Sequence, residues 1–239
     1  MEASGIQMIE AAQATGCDAV HPGYGFLAES AEFARACRDA GITFVGPTPH
    51  LLDLFGDKAR ARQAAREAGV AVIEGSDEAV TLTDAVDFFE SLGDDAAIML
   101  KAVSGGGGRG SRAVTKIEDL EAAWERCVSE AQMSFGSGAL YVEQLIPRAR
   151  HIEVQVIGDL HGGVGHLWER ECSVQRRFQK IVEIAPAPHL ASSTREEIVE
   201  AAVRIARDVG YSSLGTFEFL LDASESSDDR FYFLEANAR

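Results

Sequence analysis

Lysine is nearly missing from this sequence: of the 22 basic residues in 239, only Lys58, Lys101, Lys116 and Lys180 are lysines, and the remainder are arginines. Acidic residues outnumber basic ones to give a net charge of −16. That balance excludes a duplex-binding protein, which needs a basic footprint to displace counterions. Acid excess with lysine depletion has two sources to choose between, adaptation to high salt or GC-rich coding that favours arginine, and composition does not separate them. Where lysine is this scarce, the survivors are enriched at positions that need a compact, mobile ammonium. Long apolar runs are missing too, none approaching the ~20 residues of a membrane span. The N-terminal MEASGIQMIEAAQATG lacks the basic stretch of a secretory signal, so a cytoplasmic protein with no membrane segment is expected. Cys17, Cys37, Cys127 and Cys172 have no paired spacing of a zinc site, and a chain this long needs no disulfide framework, so reduced thiols are expected.

What remains is ordinary globular composition, 46% apolar and 25% charged, enough for one large core or two smaller ones. The first ~55 residues read as helix, strand, helix, strand, helix. Residues 18–20 lead into the turn-rich His21–Phe26 (HPGYGF), and Phe33, Ala34, Cys37 and Ala40 then recur at helical spacing up to Gly41. ITFVG follows as a second short strand, which suggests the trailing part of a βαβ domain truncated at its N-terminus. An Ala/Arg-rich helix spans 57–69, and residues 70–146 alternate strands and helices around a glycine loop. From 147 the chain is richer in strands. IEVQVI alternates, with Ile152, Val154 and Val156 on one face and Glu153 and Gln155 on the other. A helix over 193–209 turns Ile198, Ala201, Ala202, Ile205 and Val209 inward, and strands over 214–221 and 230–236 flank an acidic, Ser-rich loop.

Three segments carry chemistry. In IMLKAVSGGGGRGSRAV (98–114) an apolar strand ends in Lys101 and runs into a glycine loop. Glycines without Cβ let successive N–H groups converge on an anion. A flexible linker is the competing reading, but strand-like flanks and the lysine argue against it. Neither a Walker A nor a dinucleotide fingerprint fits, because no Gly-Lys-Ser/Thr and no long helix follow. At the C-terminus, pairing of TFEFLL with FYFLEANAR as a hairpin sets Glu218 opposite or nearly opposite Glu235. Like charges in that position repel, and a divalent cation converts the repulsion into binding. Asn237 adds a neutral oxygen, a donor set suited to Mg²⁺ or Mn²⁺. The alternative is a solvated hairpin, disfavoured by Phe217, Phe219, Phe231 and Phe233. Between them, WERECSVQRRFQKIVE (168–183) crowds Arg170, Arg176, Arg177 and Lys180 among Glu169, Glu171 and Glu183. A salt-bridged surface is the default for such a run, but Lys180 is one of the rare lysines.

In order, HPGYGFLAE, FVGP, GDK, LKAVSGGGGRG, YVEQLI, RHIEVQV, ERECSVQRRFQKIVEIAPAP, GTFEFL and FLEANAR resemble a biotin carboxylase along almost the whole chain. The resemblance implies an α/β (α+β) ATP-grasp fold. Its divisions would be 1–56, the trailing part of the N-terminal domain; 57–72, a connecting helix; 73–146, the glycine-loop lid; and 147–239, a truncated C-terminal subdomain. It implies that Lys58 and Lys101 contact ATP phosphates under Gly107 and Gly108. Glu143, Gln144, Leu145 and Ile146 would form the adenine hinge, with His151 near the ribose and Phe178 near the nucleotide. Glu218, Glu235 and Asn237 would hold Mg²⁺ or Mn²⁺, Lys180 would bind bicarbonate, and Arg239 would join it as the catalytic arginine. Gln144 stands where the family often has Lys and Phe178 where it often has His, and AAIMLKAV is looser than the family's usual approach to the lysine. The implied reaction carboxylates biotin, carried on a partner domain or carrier protein, using ATP and bicarbonate. A carboxyltransferase partner and a homodimer are also implied. Family members continue past the final arginine with a Gln-Val-Glu-His segment and a biotin-holding arginine. An ATP-binding fragment without turnover, or another ATP-grasp ligase related to carbamoyl-phosphate synthetases, is the alternative.

Adaptation to high salt predicts a melting temperature that climbs as KCl is raised to molar concentration. A flat curve would assign the arginine bias to coding composition.

Overall fold

A computed structural model of the chain describes residues 3–93, 96–104, 110–176, 179–224 and 229–239. The N-terminal elements follow the expected order: α1 (Ala3–Thr15), β1 (Ala19–Val20), α2 (Ala31–Asp39), β2 (Thr43–Phe44) parallel to β1, and α3 (Pro49–Gly56). Ser30 caps α2 by accepting the Phe33 N–H, and Phe33, Ala34 and Cys37 form its buried stripe. Asp57 caps α4 (Lys58–Glu67) by accepting the N–H groups of Ala59 and Arg60, so the first lysine sits at the mouth of a helix whose partial positive charge is already directed there.

A lid follows. It comprises α5 (Leu82–Ser91), β3 (Ile98–Ala102), β4 (Ser111–Val114), α6 (Leu120–Phe135) and β5 (Leu140–Gln144), with the strands ordered β4-β3-β5 and antiparallel. It has its own core, in which Ile98, Leu100, Leu140 and Val142 of the sheet meet Leu120, Cys127 and Ala131.

The remaining elements are β6 (Ala149–Gly158), β7 (Val164–Arg176), β8 (Gln179–Ile184), α7 (Ser192–Asp208), β9 (Ser213–Asp222) and β10 (Phe231–Ala238). The five strands form one antiparallel sheet ordered β10-β9-β6-β7-β8. One face of it is the main core: Ile152, Val154, Val156, Phe217, Phe219 and Phe233 pack against Ile198, Ala202 and Ile205 of α7. Leu51, Leu52 and Phe55 of α3 belong to this same core, with the Phe55 and Phe217 rings 5.4 Å apart. No break in packing therefore falls at residue 56; the apolar side of α3 needed a sheet to cover it, and β1 and β2 together supply only four residues. Among the described residues no helix is long and apolar enough to cross a membrane.

One irregularity decides what the other face presents. Strict alternation along β10 would place Phe231, Phe233, Glu235 and Asn237 on a single face. Instead Phe233 pairs with Phe219 and Glu235 with Glu218, leaving Leu234 as an extra residue in a β-bulge. The bulge reverses the facing of everything after it, so Phe233 stays in the core while Glu235 and Asn237 move to the opposite face. Deleting Leu234 should turn Glu235 into the phenylalanine core and abolish cooperative thermal unfolding, an unpaired buried charge costing ~3 kcal/mol or more. Leu234→Ala, which keeps the extra residue, should melt as a folded protein.

Candidate active site

Across the non-core face of the sheet runs a row of charges in direct register: Glu235 on β10 faces Glu218 on β9, Glu218 faces Glu153 on β6, and Glu153 faces Arg170 on β7. Glu153 and Glu218 are 1% and 3% exposed. Buried carboxylates are tolerated only with counter-charges and hydrogen bonds. Glu153 accepts from Arg170, from Lys180 Nζ at 2.6 Å and from the Cys172 thiol at 3.1 Å. Burial and that carboxylate push the Cys172 thiol up to about 12, so it remains a donor. Glu218 accepts Lys180 Nζ at 2.8 Å and Asn237 Nδ2 at 2.6 Å on one oxygen, and shares a 2.6 Å bond with His151 Nε2 on the other. With Gln175 Nε2 donating to His151 Nδ1 at 3.1 Å, Nε2 is the ring nitrogen that faces Glu218 as a donor. Burial alone would raise the Glu218 carboxyl, but His151 and then Lys180 outweigh it and hold it well below the ordinary range.

Glu235 is the exception in the row. Among the described residues its carboxylate has no hydrogen bond or ion pair. Burial raises its pKa and the adjacent Glu218 raises it further, against the more distant Lys58, Lys101 and Lys180. A carboxylate held beside another without a partner, with the Asn237 amide next to it, is a donor set short of one cation, which fits a divalent metal.

Around this row lies a cleft of about 510 Å³ lined by Lys58, Lys101 and Lys180, three of the chain's four lysines. Its walls also include Glu143, Gln144, Leu145 and Ile146 of the lid edge, His151, Glu218, Glu235, Asn237 and Arg239. Lys101 reaches Glu143 across the lid sheet, and Arg239 Nε bonds Glu29 Oε1 at 3.1 Å. The candidate residues are thus gathered from seven elements, α4, β3, β5, β6, β8, β9 and β10, and from the residues just after β5 and β10 into one space. Gly107, Gly108 and Phe178 lie outside the described residues.

The charge cluster of 168–183 divides. Lys180 and Arg170 turn onto the carboxylate row, Glu169 is buried against Arg195 of α7, and Arg176 is exposed. Sequence reasoning missed Glu153, Gln175 and Arg62. Glu153 was legible only as a polar position in an alternating strand, and the signal that could have raised it is the matching glutamate on the strand that became its neighbour.

Two family models match: "Carbamoyl-phosphate synthase L chain, ATP binding domain" over residues 57–239 and "Biotin carboxylase, N-terminal domain" over 3–52. A solved biotin carboxylase–β,γ-ATP complex from Campylobacter jejuni superimposes with a TM-score of 0.89 at 44% identity, covering 98% of this chain and 52% of that one. The chain belongs to the biotin carboxylase family. The biotin carboxylase domain dimer of Hydrogenobacter thermophilus 2-oxoglutarate carboxylase, solved with MgADP, ADP and bicarbonate, gives 0.88 at 42% identity over 99% of this chain and 51% of that one. Pyruvate carboxylase 1 of Caenorhabditis elegans is 53% identical over 234 residues, 98% of this chain but 19% of that protein. The chain therefore spans about half the length of the solved biotin carboxylases it matches and a fifth of that pyruvate carboxylase.

The row also sets a signed pH dependence. Glu235, with a raised folded pKa, contributes less stability as pH climbs through its titration; Glu218, with a lowered one, contributes stability above the ordinary carboxylate range that is lost as pH falls toward its folded pKa. In EDTA at pH 7, Glu235→Gln should melt higher than the parent, with the gap closing as pH is lowered through the carboxylate range. Glu218→Gln should melt lower at pH 7, because Lys180 and His151 lose their acceptor. Thermal melts between pH 4 and 8 check both directions.

Proposed function

We propose that the cleft binds ATP and bicarbonate and performs the ATP-dependent half of biotin carboxylation, the biotin being presented by a carrier protein or domain. The observation that carries this reading is the convergence of Lys58, Lys101 and Lys180 on a carboxylate row whose last member is unpaired among the described residues. Phosphoryl transfer asks the protein for little covalent chemistry and much positioned charge. Lys58 and Lys101 neutralise phosphate oxygens, with Gly107 and Gly108 closing over them. The lid edge from Glu143 to Ile146 takes the adenine, with His151 toward the ribose and Phe178 near the nucleotide. Mg²⁺ or Mn²⁺, when bound, would be held by Glu218, Glu235 and Asn237 and would supply charge neutralisation at the phosphates.

Lys180 and Arg239 hold bicarbonate. Burial works against the Lys180 charge, but Glu218 and Glu153 outweigh it and raise the pKa, so the ammonium stays protonated and serves as an electrostatic anchor. A bicarbonate oxygen attacks the γ-phosphorus, the bond to the β-phosphate oxygen breaks, and ADP and carboxyphosphate result. Carboxyphosphate then gives CO₂ and phosphate, the phosphate takes the proton from the biotin ureido nitrogen, and that nitrogen captures the CO₂. A carboxyltransferase would take the carboxyl group onward, and pairing of two copies, as in the Hydrogenobacter domain dimer, completes the proposal.

Lys101→Ala should weaken ATP binding by about 10- to 100-fold at an unchanged melting temperature, and either Glu218→Gln or Glu235→Gln should weaken Mg-ATP binding. Isothermal titration measures these, and phosphate release from ATP on adding free biotin and bicarbonate measures turnover. Unaltered metal dependence in both glutamine variants would sink the metal assignment.

A further inference from the structure

Arg62 is a buried cation that the nucleotide reading leaves without a task. It projects from α4, is 4% exposed, and its guanidinium is shared among acceptors that all belong to the lid or its approach: Glu143 Oε1 at 2.8 Å, the Ser76 carbonyl at 2.6 Å and Asp77 Oδ1 at 2.5 Å. Its Nε is buried with no acceptor among the described residues, so the side chain is held by its far end. Arg62 does not line the main cleft, whereas Glu143 and Lys101 do. The two oxygens of Glu143 are thus divided, one taken by Arg62 from outside the cleft and the other by Lys101 from within it.

We infer that Arg62 is a positioning residue for nucleotide binding, acting through Glu143 to hold Lys101 ready for the phosphates, an assignment that rests on the nucleotide reading of the cleft. Glu143 is 6% exposed and needs a counter-charge whatever Lys101 does. If Lys101 were its only partner, the pair would be neutral, and moving the ammonium onto a phosphate would leave a bare buried carboxylate behind. Arg62 removes that conflict. Asp77 is shared with Arg66, so Arg62, Arg66 and Lys101 against Asp77 and Glu143 leave one net positive charge, and the only member free to carry it into the cleft is Lys101. The fork of the guanidinium also fixes the Glu143 carboxylate against the Ser76 carbonyl, which orients the oxygen that receives Lys101. Close approach here is permitted by Gly75, where a Cβ would stand 2.4 Å from the Val142 carbonyl oxygen.

The test is a double-mutant cycle on the 239-residue chain, with ATP and adenosine titrated into the parent, Arg62→Met, Lys101→Met and the double variant. Arg62→Met should weaken ATP about tenfold or more while adenosine stays within about twofold, and in the Lys101→Met background it should weaken ATP by no more than about a further twofold. Equal losses for ATP and adenosine, or full additivity with Lys101→Met, would show Arg62 to be merely structural and overturn the inference while leaving the nucleotide site standing. Should Arg62→Met not fold, Arg62→Lys, which keeps the charge and loses the fork, is carried through the same cycle with the same criteria. No ATP binding by the parent chain would overturn the nucleotide reading and this inference together.

Discussion

Three glutamates side by side across a sheet repel one another, and much of this molecule is arranged to bring cations to them. Isolated burial of an ionised carboxylate costs several kcal/mol, more than any neighbouring contact returns. Glu153 is saturated by Arg170, Lys180 and the Cys172 thiol, and Glu218 by Lys180, His151 and Asn237. Glu235 receives nothing comparable. Satisfaction therefore falls along the row from β6 to β10, and the open end lies in the cleft. A fully paired row would be stable and inert; a row short by one cation keeps an affinity for metal at a cost in stability.

The second charge cluster, around Glu143, follows the same rule at the joint between lid and body. Arg62 leaves from α4, whose flank packs on β10, and ends on the lid strand β5. The segment linking them touches both sheets, through Val72 to Phe233 and Gly75 to Glu143. Lid position and lysine position are consequently tied to one set of bonds.

Much of this was legible in the sequence. The α7 stripe and the opposition of Glu218 to Glu235 rest on local periodicity and on one short hairpin, where pairing follows from the chain itself. The scarcity of lysine pointed to three residues of the cleft without any structural knowledge. What was not legible depends on partners distant in sequence. Glu153 looks like the outward half of an alternating strand until β9 is laid beside it, and Arg62 lies 81 positions from the carboxylate that explains it. Which sheet would cover α3 likewise depends on partners distant in sequence.

The extra residue at Leu234 makes the arrangement a matter of parity. On a strand whose faces alternate, a hydrophobic half and a chemical half drawn from the same odd-numbered positions can coexist only if the count is shifted once between them. An insertion or loss of one residue at Leu234 would exchange the contents of core and cleft from Glu235 onward, whereas most single substitutions there would leave the count intact. In this short stretch, chain length is under tighter physical restraint than residue identity, and a family of such strands would be expected to vary in spelling while keeping its meter.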